Sequence, residues 1–143
     1  PALYWWAANF GRYLTTKPVL KRIESREIIE TAMHRIATLD EDYYYGGPTR
    51  FFGTFYSRLP GVPLDRAKSN FDQSLSDSPD YLGTRVLRAR YYHTKLGNQD
   101  LFEEDLNYVI NADPSILPDA MPENLFEQEK AKELLKHTSI LFE

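Results

Sequence analysis

Three histidines, twenty-one carboxylates and no cysteine are the material for chemistry in this 143-residue chain. His34, His93 and His137 do not fall at the spacing of a zinc protease, and without cysteine no structural zinc set is completed. Asp40-Glu41-Asp42 begins like a calcium loop but runs into Tyr43-Tyr44-Tyr45, without alternating oxygen ligands or a closing glutamate, and reads as a polar helix end. There is no Gly-x-Ser-x-Gly elbow, and Gly46-Gly47 lacks the Gly-Lys of a phosphate loop. A carboxylate pair cannot be nominated without a pocket. The residues therefore predict no enzyme, no cofactor and no metal. What remains is recognition chemistry. Seven aromatic residues crowd into residues 43–56, and Trp5 and Trp6 are adjacent. Three consecutive tyrosines cannot all point inward. Neighbours on a helix diverge by about 100°, so one tryptophan faces the core while the other faces a groove. Exposed Tyr and Trp beside Arg are typical binding hot spots.

The elements that must position these residues show a repeat. Ala67, Phe71, Ser74 and Pro79 recur, 35 residues on, as Phe102, Leu106, Val109 and Pro114. In each set the first three share one helix face and the proline marks its end. A period near 34 with a helical hairpin per repeat points to tetratricopeptide-like architecture, which builds curved binding surfaces rather than catalytic sites. Periodicity and caps predict about seven helices, near 2–15, 25–39, 49–58, 64–75, 79–96, 100–112 and 123–141, with no strand. Ser25 is the expected cap of the second, and Asp100 with Glu103 resembles a capping box opening the sixth. Phe10-Gly11-x-x-Leu14, Phe52-Gly53-x-x-Tyr56 and Arg88-Ala89-x-x-Tyr92 each place a small residue where a neighbouring helix can approach. Glycine inside a helix costs about 1 kcal/mol relative to alanine, so close packing must offset it.

Length predicts one domain, residues 1–143, all-α with a C-terminal capping helix. The formal charge of −4 argues against a nucleic-acid partner, although Arg85, Arg88 and Arg90 lie beside Tyr91-Tyr92. These basic residues face the acids Asp100, Glu103, Glu104 and Asp105 of the next helix if the two pack antiparallel, which predicts weak surface ion pairs. No apolar run approaches the roughly 18 residues of a membrane span. The start at Pro1-Ala2-Leu3, inside a helical pattern and without methionine, suggests the C-terminal part of a longer protein.

Ala2-Leu3-Tyr4-Trp5-Trp6-Ala7-Ala8-Asn9-Phe10-Gly11-Arg12 resembles the signature of the TatT family, the T components of tetratricopeptide-associated TRAP transporters. Further matches follow in order: Leu39-Asp40-Glu41; Gly46-Gly47-x-x-Arg50-x-x-Gly53; Arg58-Leu59-Pro60-Gly61; Pro79-Asp80-Tyr81-Leu82; Lys95-Leu96; Ala112-Asp113-Pro114; and Asn124-x-x-x-Gln128-x-x-Ala131-x-x-Leu134-Leu135. The resemblance spans essentially the whole chain, as the C-terminal half of such a protein. One departure is Gly61-Val62-Pro63-Leu64-Asp65, where the family usually has a Gly-Gly-Asp turn. The resemblance implies a non-enzymatic periplasmic lipoprotein, touching the membrane only through an upstream lipid anchor and often trimeric. It also implies a role beside a TRAP solute receptor, with a small hydrophobic solute. The residues alone leave a second reading: a cytosolic tetratricopeptide adaptor gripping a peptide in its groove.

In such repeats the first helix of each hairpin lines the concave side. That places Trp5, Trp6, Asn9 and Arg12 on one wall and Arg50 on the next, with Tyr45 on the loop feeding it. Asn9, Arg12 and Arg50 have no packing reason to sit among aromatics, and Arg offers a planar fork to carboxylates. These six are the expected partner- or ligand-binding residues, and Arg50→Glu is expected to disturb docking at little cost to folding.

Overall fold

The computed structural model describes residues 1–143 and is all-helical. The order is α1 (Ala2–Leu14), α2 (Val19–Glu24), α3 (Arg26–Leu39), α4 (Tyr43–Arg58), α5 (Leu64–Asp77) and α6 (Gly83–Leu87). A π-helical segment (Arg88–His93) then leads into α7 (Thr94–Leu96), and α8 (Gln99–Asn111) follows. Two 3-10 turns (Pro114–Ile116 and Pro118–Ala120) precede α9 (Met121–Lys136) and α10 (Thr138–Leu141). Pairing α1 with α3, α4 with α5, and α6 and its π segment with α8 gives three hairpins, an arrangement consistent with tetratricopeptide-like repeats. No helix is long and apolar enough to cross a membrane.

The repeat pattern is the core. Ala67, Phe71 and Ser74 on α5 and Phe102, Leu106 and Val109 on α8 are all fully buried. One apolar cluster joins α1, α3, α4 and α5; a second joins α6, its π segment, α8 and α9. The small residues are where rings come in. A Cβ on Gly53 would sit 2.8 Å from the Phe71 ring, and one on Gly11 would sit 3.2 Å from the edge of the Phe51 ring. Phe71 is boxed in, whereas Phe51 is only half-buried. Gly53→Ala is therefore expected to lower stability by about 1–3 kcal/mol despite alanine's better helix propensity. Gly11→Ala should cost less, since Phe51 is free to give. Thermal melts of the two variants check this order; a Gly53→Ala protein as stable as wild type would contradict it.

Helix α9 closes the last repeat with polar staples. The buried Asn124 amide accepts from Leu82 N at 2.9 Å and donates to Asp80 O at 3.0 Å, pinning the entry to α6. Gln128 Nε2 donates to the carbonyls of Val109 and Ala112, at 3.0 and 2.9 Å, covering the orphan carbonyls at the end of α8.

Three local expectations change. The side chain capping α8 is Asn98, which accepts from Leu101 N at 3.0 Å; Asp100 already lies inside the helix. Ser25 sits at the start of α3 but makes no side-chain capping bond, because the short α2 runs directly into α3 with Ser25 itself in a helical conformation. The acid–base pairing between α6 and α8 is not a surface effect. Asp105 is buried and accepts from Arg85 Nη1 at 2.9 Å, from Arg88 Nε and Nη2 at 2.7 Å each, and contacts His93 Nε2 at 3.1 Å. The π segment makes this possible: its wider turn brings Arg88 and His93, five residues apart, onto the face of Arg85.

Candidate functional site: an aromatic and arginine-lined groove

Helices α1, α4 and α6 with its π segment run side by side and in the same direction. Tyr4 packs on Gly47 and Gly11 on Phe51 along the first pair. Arg50 lies over the Tyr81 ring at 4.3 Å and Arg58 over the Tyr91 ring at 4.9 Å along the second. These first helices line a half-open cavity of about 530 Å³, to which α2 and α9 add Arg22, Glu127 and Lys130. The volume falls in the range of ordinary ligand sites.

Its floor at one end is the tyrosine turn. Tyr44, Tyr45 and Gly46 have φ of 52°, 58° and 66°, three successive residues in the left-handed region. For the two tyrosines this costs about 1–2 kcal/mol each. The turn is held by Arg50, whose Nη1 donates to Tyr45 O at 2.6 Å and Nη2 to Tyr44 O at 2.9 Å. Ser74 Oγ adds a bond to Gly46 O at 3.2 Å. This resolves the three tyrosines. Tyr43 and Tyr44 pack on Tyr4, and Tyr45 stacks on Tyr81 with the rings 15° from parallel. Burial pushes the phenols of Tyr4 and Tyr81 above their ordinary value, with the Arg50 guanidinium pulling only part of the way back. They are neutral hydroxyls near neutral pH and cancel none of the positive charge.

At the other end, Arg58 and Arg90 flank the Tyr91 ring, at 4.9 and 5.3 Å, with Arg12 and Arg22 lining the same cavity. None of Arg12, Arg22, Arg50, Arg58 and Arg90 makes an ion pair, although the chain has more acids than bases. Among lining residues the single carboxylate is Glu127, which already pairs with Lys130 at 2.7 Å.

Of the six residues expected from the sequence, the groove brings together Trp5, Arg12 and Arg50. Trp6 instead stacks on Phe10 on the outer face of α1. Asn9 turns its amide back to Trp5 O at 2.7 Å, satisfying it within its own helix. Tyr45 is turned away by the left-handed backbone and packs on Tyr81. Arg50 lines the groove but is only 4% exposed, so its fork is committed to two carbonyls and it is no free surface charge. Sequence reasoning missed Arg58, Arg90, Tyr91 and Glu127. A signal for part of this set existed: the residue after the small one in each repeat, namely Arg12, Thr54 and Arg90, lines the groove in all three.

A family model described as TRAP transporter T-component matches residues 1–142. The chain belongs to that family. Curated proteins give no match. A T-component is an accessory part of a TRAP transporter. No group of three or more metal-ligating side chains is assembled. His34 lies against Phe52, His93 against Asp105 and His137 beside Glu133.

Proposed function

We propose that this chain is a non-enzymatic periplasmic accessory component that docks the transporter's solute receptor across the mouth of the groove and assists in handling the solute there. In this reading the full-length protein is held by an upstream lipid anchor and assembles as a homotrimer. The observation that carries it is the groove itself: exposed Trp5, Arg12, Arg58 and Arg90 around an aromatic floor, with unneutralised positive charge. Tryptophan, tyrosine and arginine are the residues that dominate protein–protein hot spots. Family membership favours this reading over a cytosolic peptide adaptor.

Trp5→Ala and Arg58→Glu are each expected to weaken binding of the cognate solute receptor at least tenfold, about 1.4 kcal/mol. Both side chains are exposed, so melting temperatures should stay within a few degrees of wild type. Titration calorimetry makes the measurement; unchanged affinity in both folded variants would remove the groove mouth as the docking site.

A further inference from the structure

The winding of the π segment is matched to one carboxylate. Thr94 N donates to Ala89 O, five residues back, where an α-helix would use Arg90 O. The Arg90 carbonyl left over accepts from Thr94 Oγ1 instead. Residues five apart on an α-helix stand about 140° apart around the axis, so from an α-helix Arg88 and His93 could not both reach one side chain. In the π register they do. Arg88 Nε lies 2.7 Å and His93 Nε2 lies 3.1 Å from Asp105 Oδ2.

This register carries strain. His93 is only 4% exposed, yet its Nδ1 is buried without a partner, and so is Nε of Arg85. Buried polar atoms without partners are destabilising, and π turns are rare outside functional sites. Asp105 offsets the cost by taking bonds from both ends of the segment. Past His93 little else holds the winding: α7 buries no residue and stops at Gly97, which is left-handed. Between the two pins lie Arg90 and Tyr91, which line the groove, with Arg58 over the Tyr91 ring at 4.9 Å. Asp105 itself does not line the groove.

We propose that Asp105 is a positioning residue for the groove mouth. By holding Arg88 and His93 together it fixes the π register of residues 88–93, and that register sets Arg90 and Tyr91 at the mouth. Without the clamp the segment rewinds as α-helix, His93 leaves Asp105, and Tyr91 moves round the axis away from Arg58. The role in docking rests on the reading that the receptor covers the mouth; the register is tested on the chain alone.

The measurement is the scalar coupling across backbone hydrogen bonds, read by NMR on the isotope-labelled 143-residue chain. In the wild type the Thr94 amide nitrogen should couple to the Ala89 carbonyl carbon, and Arg58 side-chain protons should show cross-relaxation with the Tyr91 ring. In Asp105→Asn the Ala89 coupling should vanish, a coupling to the Arg90 carbonyl carbon should replace it, and the Arg58–Tyr91 cross-peaks should be lost. His93→Leu removes only the far pin and leaves Asp105 paired with both arginines, so it gives the same test should Asp105→Asn fail to fold. Asp72→Asn removes the exposed partner of Arg88 at 3.4 Å and should change neither signal. Receptor affinity, titrated calorimetrically, should fall at least fivefold in His93→Leu and be unaltered in Asp72→Asn. A rewound segment that still binds receptor fully would support the register and refute docking at Arg90 and Tyr91, so the two readings fail separately. An Ala89 coupling kept in the folded Asp105→Asn or His93→Leu protein, or lost in Asp72→Asn as well, would overturn the proposal.

Discussion

Asp105→Ala is expected to remove about 3–5 kcal/mol of folding stability, a large part of what a domain this size possesses. The substitution leaves Arg85, Arg88 and His93 largely buried without their shared acceptor, the charge of Arg85 without its counter-ion and that of Arg88 with only the exposed Asp72 at 3.4 Å. Urea denaturation should show the midpoint fall steeply, and a loss under 1 kcal/mol would mean that solvent or another group replaces the carboxylate. The same network carries a pH signature. Burial alone would raise the Asp105 pKa, but hydrogen bonds from His93 and Arg88, and the charge of Arg88, outweigh it and lower it to about 2. A folded pKa below the unfolded value of 3.8 stabilises the protein above the unfolded value, and that stability is lost as pH falls toward the folded one. Between about pH 5 and pH 2 the wild type should therefore lose about 2 kcal/mol through this group. Asp105→Asn should show a flatter acid limb.

Arg50→Glu is expected to be nearly as damaging, in contrast to what an exposed groove arginine would tolerate. It deletes both bonds that hold the left-handed turn and places a buried carboxylate against the carbonyls of Tyr44 and Tyr45. It also removes the cation from the Tyr81 face. A loss of about 3–5 kcal/mol follows from a buried charge left facing acceptors only. Arg50→Lys should fall between, since an ammonium keeps the charge but not the two-pronged fork. Thermal melts decide it: an Arg50→Glu protein melting within a few degrees of wild type would show that the turn stands without its clamp.

The helices were largely legible because their signals are local. Apolar spacing on α5 and α8, the prolines after them and the glycines packed under Phe51 and Phe71 all sit within single elements. The tyrosine turn was legible only as crowding. Two tyrosines adopt left-handed backbone because Arg50, Tyr81 and Ser74, distant by up to 37 residues, repay the strain; no local rule favours it. The π segment has no local mark either, since Arg88-Ala89-Arg90-Tyr91-Tyr92-His93 reads as ordinary helix and the extra residue is absorbed to satisfy Asp105 across the hairpin. For the groove, Trp5 and Arg12 could be found because they lie in one conspicuous stretch. Arg58, Arg90 and Glu127 meet only once three hairpins and α9 stack, so their convergence is a property of the tertiary arrangement.

Amide hydrogen exchange of this chain with and without the cognate solute receptor tests the docking face most directly. If the receptor covers the groove mouth, protection should rise in α1, in the second half of α4 and in the π segment around Arg90 and Tyr91, with α8 and α10 unchanged. Protection confined to α8 and α10, with α1 and α4 exchanging as in the free protein, would contradict the account.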